Sequence, residues 1–413
     1  MLDRLSPVVR IVGGTGSKGG PAGLGDLRMR GYIMRSVRIL AAPLLLTGMV
    51  GAVTPVTASA AQAGPRGTAS PFRISGGLAG VAATSASRAW AVGYRGSLAS
   101  PKPLIVRWNG TGWKQVPSPA PAGSILSGVA AASATTAWAV GQTGAGKTLI
   151  ERWNGTGWKQ APSPAPGTFS GLSGVAAVSA SSAWAVGSTS TGGNVKTLIL
   201  RWNGTVWKQV PSPSPAGGAG LAGVAAVSAR SAWAVGFTGP GGSSATLILR
   251  WNGTVWKQVP SPSPGAPNPD TLRGVAAVSA GTAWAVGCTT CATASGFNGP
   301  LIERWNGTAW KVVPSPGLGA PGGILTGVAA TSANSAWAVG GTESGSGAGE
   351  VITTLIARWN GTRWTRVPSP SPAGGAAFSG VAAVSPGSAW AVGDIGGTKT
   401  LIERWNGTAW KVS

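Results

Sequence analysis

The chain has 413 residues, with 32 Lys and Arg against nine Asp and Glu, and it contains 68 Gly, 31 Pro and no His. Without His, the chain has no residue of the type that most often serves as general base, and nine acids leave few carboxylates for catalysis. The 21 Trp argue against a disordered chain, because disordered segments carry few large apolar groups.

Residues 1–63 are interpreted as an N-terminal leader and signal peptide. A mostly apolar stretch at 39–53 precedes small residues at 58–63 that suit cleavage, and the basic segment before it contains Arg28, Arg30, Arg35 and Arg38. Prolines and polar residues make the stretch a poor membrane span, so the sequence favours a secreted protein with no span after cleavage; an uncleaved anchor is the alternative. Cleavage after Ala63 would leave 25 Lys and Arg against seven Asp and Glu, a net charge of +18, which favours anionic partners.

One pattern organises the chain after residue 70. GVAA, AWAVG, RWNGT and a closing Trp follow one another seven times, and successive GVAA glycines are 46 to 53 residues apart. A period of this length is typical of propellers and repeat arrays. The repeats start near residues 70, 118, 163, 212, 261, 315 and 369. The six tryptophans of the first two repeats are Trp90, Trp108, Trp113, Trp138, Trp153 and Trp158.

Each repeat divides into four short strands. They read GVAAVS, AWAVG, LIERW and WKQV in a typical unit, and a Pro-rich segment ends the fourth strand because Pro cannot donate to a sheet. The Asn-Gly pair between the third and fourth strands predicts a type I′ turn, and we interpret NGT as this turn rather than as a glycosylation site. We therefore predict an all-β, seven-bladed β-propeller with four antiparallel strands per blade, at 80–413 after a lead-in at 64–79.

The strand pattern resembles kelch-type repeats, whose best-known propellers include galactose oxidase. An apolar first strand, a second strand ending in Gly, and a Trp opening the fourth strand carry the resemblance over all seven units. The chain departs from that family in its single Gly after most second strands and in its short NGT turn. The repeats are also similar to secreted repeat proteins of high-GC Gram-positive bacteria. The resemblance implies a propeller, but the copper site of galactose oxidase needs His and Tyr ligands that cannot be assembled here, so we expect no metal or cofactor.

Two short motifs point to functions that their context disfavours. GQTGAGKT at 141–148 has the spelling of a phosphate-binding loop, but it joins two antiparallel strands instead of a strand and a helix. Cys288 and Cys291 are the only cysteines, and zinc would need four ligands. We therefore interpret 141–148 as a chance match and predict a disulfide between the two cysteines.

The recurring aromatic and basic residues have a structural interpretation. Because the tryptophans occupy the same positions in every repeat, we expect most of them to pack between blades. The Arg before each RW tryptophan recurs as well, and its stem can lie across the rings. This distributed charge suits weak polymer binding and carries no base-reading motif, so we expect no sequence-specific nucleic acid partner. We expect a monomer.

Length variation is confined to one face of the predicted propeller. The first–second and third–fourth turns have constant length, whereas the second–third and fourth–first connections vary. Variable loops on a rigid scaffold are a common place for binding residues. The candidate ligand-binding residues on this variable-loop face are Arg95, Lys102, Lys147, Lys196, Glu343, Glu350, Asp394 and Lys399.

These observations favour a secreted, non-catalytic binding module, with no catalytic residue assigned. The expected partner is an anionic cell-wall or extracellular polysaccharide, or another protein. The alternative is a propeller enzyme that acts on extracellular polysaccharide, with Glu343 and Glu350 as the carboxylate pair to test. A purely structural secreted protein is the third possibility.

Overall fold

The computed structural model describes residues 72–240, 243–291, 299–315, 317–318, 322–344 and 351–413. The predicted leader at 1–63 lies outside these residues. The described chain forms seven four-stranded antiparallel sheets, and each sheet uses four consecutive strands. The prediction of an all-β propeller with seven blades of four strands is therefore confirmed. No helix in the described part of the chain is long and apolar enough to cross a membrane.

The strands have similar bounds in every blade. Blade 1 contains β1 (Gly76–Ser85), β2 (Arg88–Arg95), β3 (Lys102–Trp108) and β4 (Trp113–Val116). Blade 2 contains β5 (Ile125–Ala131), β6 (Ala137–Gln142), β7 (Thr148–Trp153) and β8 (Trp158–Gln160). Blade 3 contains β9 (Phe169–Ser179), β10 (Ser182–Thr191), β11 (Asn194–Trp202) and β12 (Trp207–Gln209). Blade 4 contains β13 (Ala219–Ser228), β14 (Ser231–Thr238), β15 (Ala245–Trp251) and β16 (Trp256–Val259).

The last three blades follow the same plan. Blade 5 contains β17 (Thr271–Ser279), β18 (Thr282–Thr289), β19 (Gly299–Trp305) and β20 (Trp310–Val312). Blade 6 contains β21 (Gly323–Ser332), β22 (Ser335–Ser344), β23 (Val351–Trp359) and β24 (Trp364–Arg366). Blade 7 contains β25 (Ala376–Ser385), β26 (Ser388–Ile395), β27 (Lys399–Trp405) and β28 (Trp410–Val412).

The first strands of all blades meet around a central axis. A Cβ added to Gly80 would lie 3.1 Å from the Cα of Gly128 in the next blade, and the same approach is repeated from blade to blade. The ring closes where a Cβ on Gly380 would lie 3.3 Å from the Cα of Gly80. Glycine is needed here because the backbones of neighbouring blades converge. The small residues of the first strand therefore set the close spacing of the blades.

The glycine that ends each AWAVG strand has a different steric reason. A β-bulge lies opposite it in the first strand, as between Leu126 and Gly128 in blade 2. A Cβ on Gly141 would overlap the carbonyl oxygen of Ile125 beside this bulge. The same overlap recurs in the other six blades, so the recurring glycine accommodates the bulge.

Tryptophans join each blade to the next one. Trp90 of blade 1 has its ring centroid 4.9 Å from that of Trp153 and 5.1 Å from that of Trp158, both in blade 2. Equivalent trios occupy all seven interfaces, including the one between blades 7 and 1. Tilted and edge-on pairs at these distances add to the stability gained from burying the rings. The repeated core of the molecule is therefore made at the boundaries between blades.

The turn between the third and fourth strands differs from the predicted one. The prediction of a type I′ turn is wrong, because Gly110 has a positive φ of 104° whereas Asn109 does not. Four residues separate Trp108 from Trp113, and the Asn109 side-chain oxygen accepts hydrogen bonds from Thr111 N, Thr111 Oγ1 and Gly112 N. Asn and Thr are thus used for side-chain capping of a four-residue loop.

Candidate functional site

The variable-loop face carries its candidate residues on five different blades. Arg95 and Lys102 pair across β2 and β3 of blade 1, and Asp394 and Lys399 lie near the equivalent turn of blade 7. The other described candidates are Lys147 in blade 2, Lys196 in blade 3 and Glu343 in blade 6. Glu350 lies outside the described residues. The structure therefore distributes these residues around the face and brings together only the pairs within blades 1 and 7.

Residues 141–148, which match the phosphate-loop motif, include a tight turn between β6 and β7. Thr143 N donates to the Lys147 carbonyl oxygen at 2.8 Å, which closes the turn. Lys147 Nζ lies 3.1 Å from the carbonyl oxygen of Gly167 and 3.3 Å from that of Thr168, in the connector that leads to blade 3. No helix follows the loop, so the backbone geometry that holds phosphate in nucleotide-binding loops is missing from this segment.

A small polar cluster bridges blades 1 and 7 on the same face. Tyr94 Oη donates to the carbonyl oxygen of Gly397 at 3.2 Å, and Gly397 N donates to the Asp394 carboxylate at 2.7 Å. Burial raises the pKa of Asp394, although the Gly397 N–H opposes the shift. Burial and the nearby Asp394 charge raise the pKa of Tyr94 to about 12. The cluster consequently fixes the seam between the two blades.

Three glutamates lie buried at one repeat position in the third strands. Glu151, Glu303 and Glu403 are each 0% exposed, and blades 3 and 4 have Leu200 and Leu249 at the same position. Burial raises the pKa of Glu151 to about 7, and it raises the pKa of Glu303 and Glu403 to about 8. These acids occupy core positions away from the solvent.

Hydrogen bonds from Ser118 and from the Ala120 backbone lower the pKa of Glu151, whereas no described residue makes such a bond to the other two glutamates. Ser118 Oγ donates to Glu151 Oε1 at 2.6 Å, and this bond opposes the rise in pKa. Ser261 and Ser369, the matching connector serines beside Glu303 and Glu403, instead pair with threonine hydroxyls at 2.6 and 2.9 Å. Blade 1 has Pro103 where those threonines stand, so Ser118 is free to bond the glutamate. Within the described residues, the carboxylate oxygens of Glu303 and Glu403 accept no hydrogen bond.

Acidic and basic side chains differ sharply in their exposure to solvent. None of the six described acidic side chains is exposed, since four are buried and Glu343 and Asp394 are half-buried. Sixteen of the described Lys and Arg side chains are exposed. The accessible charge of the described surface is therefore cationic on both faces.

The tryptophan interfaces also hold the recurring arginines. Arg201 Cζ lies 5.1 Å from the ring centroid of Trp184 in its own blade and 5.4 Å from that of Trp251 in the next blade. The arginines of the other six blades contact an equivalent pair of rings. Each arginine is half-buried and joins two blades through cation–π contacts.

The fifth blade carries a local cross-link. Cys288 and Cys291 form a disulfide, and both residues are 0% exposed. Next to it, Asp270 accepts hydrogen bonds from Ser263 Oγ, Gly265 N and Thr290 N. Among the described residues, no group of three or more His, Cys, Asp or Glu side chains is arranged to hold a metal ion. Asp270 thus organises the connector into blade 5.

The cavities offer two very different environments. The central channel has a volume of about 170 Å³ and is lined by a Gly-Val pair from every blade, such as Gly80 and Val81. A second cavity of about 480 Å³ lies on the outside between blades 3 and 4. It is lined by Arg201 and Lys208 of blade 3 and by Ala229 in the first turn of blade 4. The channel is narrow and uncharged, whereas the outer cavity is cationic.

No protein-family model and no curated protein matches the sequence. Solved propellers match the fold. YCF48 bound to D1 peptide has a TM-score of 0.51 and 15% identity, over 81% of this chain and 94% of that one. An ulvan lyase, a polysaccharide lyase, has a TM-score of 0.53 and 10% identity, over 82% and 96%. The GH74 xyloglucanase from Xanthomonas campestris has a TM-score of 0.52 and 14% identity, over 83% of this chain and 55% of the enzyme.

At these identities the similarity shows the fold alone. The neighbours include a peptide-bound propeller and polysaccharide-acting enzymes, so the fold is compatible with both binding and catalysis. Sequence reasoning missed two features of the charged surface: none of the described acids is exposed, and Arg201 and Lys208 line one outer cavity. The Arg-Trp and Trp-Lys pairs in each RWNGT…WK segment are the signal that could have indicated the cavity.

Proposed function

We propose that the protein is a secreted, non-catalytic binding module for an anionic cell-wall or extracellular polysaccharide, with a protein partner as the other candidate ligand. The observation that carries this proposal is the one-sided exposure of charge: sixteen exposed cationic side chains and no exposed acid among the described residues. A surface of this kind attracts polyanions, and salt weakens that attraction by screening the charges. The predicted leader at 1–63 and the resemblance of the repeats to those of secreted proteins, both read from the sequence, support the extracellular location.

Co-sedimentation with purified Gram-positive cell walls over a salt series tests the proposal. We expect the full chain to sediment with the walls at low salt and to be released as salt rises. Binding that persists at high salt would indicate a specific pocket, and substitutions of Arg95 and Lys102 on the variable-loop face would locate it. Failure to bind at any salt concentration would exclude the polymer and leave a protein partner as the candidate.

The alternative function is catalysis on extracellular polysaccharide. The half-buried Asp394 has a raised pKa, which is a property of general acids, and it lies on the variable-loop face together with Glu343. Incubation with soluble wall polymer separates the two functions. Shortening of the polymer by the wild-type protein, but not by Glu343→Gln or Asp394→Asn variants, would favour the enzyme; an unchanged polymer length supports the binding module.

A further inference from the structure

The arginines and lysines of the outer strands form one repeated row. Trp184, Arg201 and Lys208 are cross-strand neighbours on β10, β11 and β12, so the three side chains lie on the same face of the sheet. That face is turned towards blade 4, because Trp184 and Arg201 both contact Trp251 there. The outer cavity of about 480 Å³ lies at this place and includes both cations in its lining.

The same row occurs at almost every boundary between blades. Each blade has the third-strand arginine, and all but blade 6 have the fourth-strand lysine, which is Thr365 there. All of these residues lie within three positions of the constant turns, so they form a ring at the edge of the face opposite the variable loops. We call this ring the constant-turn rim, and its lysines are Lys114, Lys159, Lys208, Lys257, Lys311 and Lys411.

The arginine of each row is positioned by two indole rings and keeps guanidinium N–H groups that donate to no acceptor among the described residues. Arg201 Cζ lies 5.1 and 5.4 Å from two ring centroids that are themselves 4.9 Å apart, so the guanidinium caps the ring pair, and its remaining N–H donors can bind an oxyanion in the outer cavity that Arg201 lines. Arg404 uses one of these donors for the carbonyl oxygen of Ala86 in blade 1. A pre-positioned guanidinium loses little conformational freedom when an anion binds.

The nearest acids do not neutralise these rows. Glu151 directly precedes Arg152, but successive side chains of a strand point to opposite faces, and Glu151 is buried. Glu303 and Glu403 precede Arg304 and Arg404 in the same way. Because all three carboxyl groups are fully buried, none of them meets the exposed lysines of the rows at the surface.

We propose that the constant-turn rim is a docking track for a linear anionic glycopolymer, with successive phosphodiester or carboxylate groups of one polymer occupying successive inter-blade grooves. This inference rests on the proposed function and gives it a place on the molecule. A single open groove binds one anion weakly, but a polymer that engages several grooves gains from their high effective concentration. The polymer would then leave the variable-loop face accessible for a second partner.

Two charge-matched variants of the full chain test the track. The rim variant replaces Lys114, Lys159, Lys208 and Lys257 by Gln, and the loop variant replaces Lys102, Lys147, Lys196 and Lys399 by Gln. Both lose four positive charges, all eight lysines are exposed, and Thr365 shows that the fold accepts a neutral residue on the rim. Circular dichroism and thermal unfolding verify that both variants fold like the wild type.

The measurement is the affinity for immobilised poly(glycerol phosphate) and polygalacturonate at several salt concentrations. We expect the rim variant to bind about tenfold or more weaker, with a slope of log affinity against log salt that is smaller by about three, since each phosphate contact adds about 0.7 to 0.9. For the loop variant, the fall in affinity and the change in salt slope should be less than half of those of the rim variant. Preference for one of the two polymers identifies the anionic group.

Other outcomes overturn the inference. Equal losses in the two variants would mean that diffuse charge attracts the polymer, and a larger loss in the loop variant would place the polymer on the variable-loop face; both leave the proposed binding function standing. Tighter rim-dependent binding of duplex DNA than of either glycopolymer would assign the track to another class of polyanion. If the wild-type chain binds neither glycopolymer, the polymer half of the proposed function fails together with the track.

Discussion

The backbone N–H of Phe72 donates to the carbonyl oxygen of Ser413 at 3.1 Å, so the first described residue lies beside the last residue of the chain. Ser413 N donates to the Ile402 carbonyl oxygen, as Ala161 N does to that of Ile150 in blade 2. The segment that begins at Phe72 therefore follows blade 7 as the Pro-rich connectors follow the other blades. All four strands of blade 7 are consecutive, so this segment closes the ring without exchanging a strand.

The first prediction concerns this closure. Phe72 is half-buried against the core shared by blades 7 and 1, and Ile74 N donates to Thr400 Oγ1 at 2.9 Å. We expect Phe72→Ala to lower the free energy of unfolding by about 1–2 kcal/mol, because part of a large apolar side chain is removed from that core. The exposed neighbour provides the control, and Arg73→Ala should stay within about 0.5 kcal/mol of the wild type. Equal denaturation midpoints for the two variants would contradict closure by Phe72.

The second prediction concerns stability and pH. Because the pKa of Glu303 and Glu403 is raised to about 8 in the folded protein, the folded state keeps protons that the unfolded chain has released. The free energy of unfolding should be highest below about pH 4.5 and should fall until about pH 8, above which the loss is complete. Denaturant unfolding measured from pH 4 to pH 9 checks this pH range, with closely spaced measurements at about pH 4.3 and about pH 8.

Substitutions taken from other blades test the cause of this pH dependence. Glu403→Leu copies Leu200 of blade 3 and should make the loss of stability with pH shallower. The reciprocal change, Leu249→Glu in blade 4, should steepen it, because a buried acid is added at the same repeat position. A pH profile that neither substitution alters would show that other groups produce the dependence.

The third prediction concerns Ser118 and Glu151. Ser118→Ala removes the hydroxyl that donates to the carboxylate, so the pKa of Glu151 should rise further above about 7. Pro103→Thr should have the same direction of effect, since the new hydroxyl would compete for Ser118 as Thr246 does for Ser261. Carbon NMR titration of the glutamate carboxyl groups measures the shift. Ser163→Ala, which removes a hydroxyl bonded to Thr148, is the control that should leave this pKa unchanged.

Repetition explains why the fold could be predicted from the sequence. Seven copies of the same four-strand pattern indicate seven equivalent sheets, and the Gly and Ala content of the first strand identifies the crowded centre. Single departures from the repeat are harder to interpret. The partner of Ser118 depends on Pro103 fifteen positions earlier, and no periodic pattern contains that relationship.

The sequence does not show in which direction a side chain points, and this limited the prediction of the site. Recurrence of Trp90 indicates packing, but only the three-dimensional structure shows that its ring contacts Trp153 in the next blade and that the Arg107 guanidinium caps both rings. The prediction of a type I′ turn was wrong because it, too, depended on the direction of a side chain. Asn109 caps the loop with its side chain and does not adopt a positive φ, and the dipeptide Asn-Gly is compatible with both arrangements.

The fourth prediction separates the structural and electrostatic roles of the rim. Arg201→Met keeps much of the side-chain stem but removes the cation that contacts Trp184 and Trp251, so we expect a loss of about 1 kcal/mol in the free energy of unfolding. Lys208→Met removes the same charge from the exposed neighbour and should cost less than about 0.5 kcal/mol. Chemical denaturation of the two variants checks the difference, and equal losses would argue against stabilising cation–π contacts of Arg201.

The fifth prediction concerns the glycine ring at the axis. A Cβ on Gly274 would lie 3.1 Å from the Cα of Gly327 and 3.2 Å from the carbonyl oxygen of Thr326, both in the next blade. Backbone atoms cannot turn aside as a flexible side chain can, so Gly274→Ala must push blades 5 and 6 apart. We expect a loss of about 1–3 kcal/mol in the free energy of unfolding.

Another glycine of the chain supplies the control for this prediction. A Cβ on Gly157 meets nothing within 4 Å, and blades 3 and 4 have Val206 and Val255 at the same position in the turn. Gly157→Ala should leave the stability unchanged or raise it slightly, because it restricts only the unfolded chain. If Gly274→Ala proved as harmless as Gly157→Ala in thermal and denaturant unfolding, the first strands could not be in contact around the axis, and the spacing of the blades would need another cause.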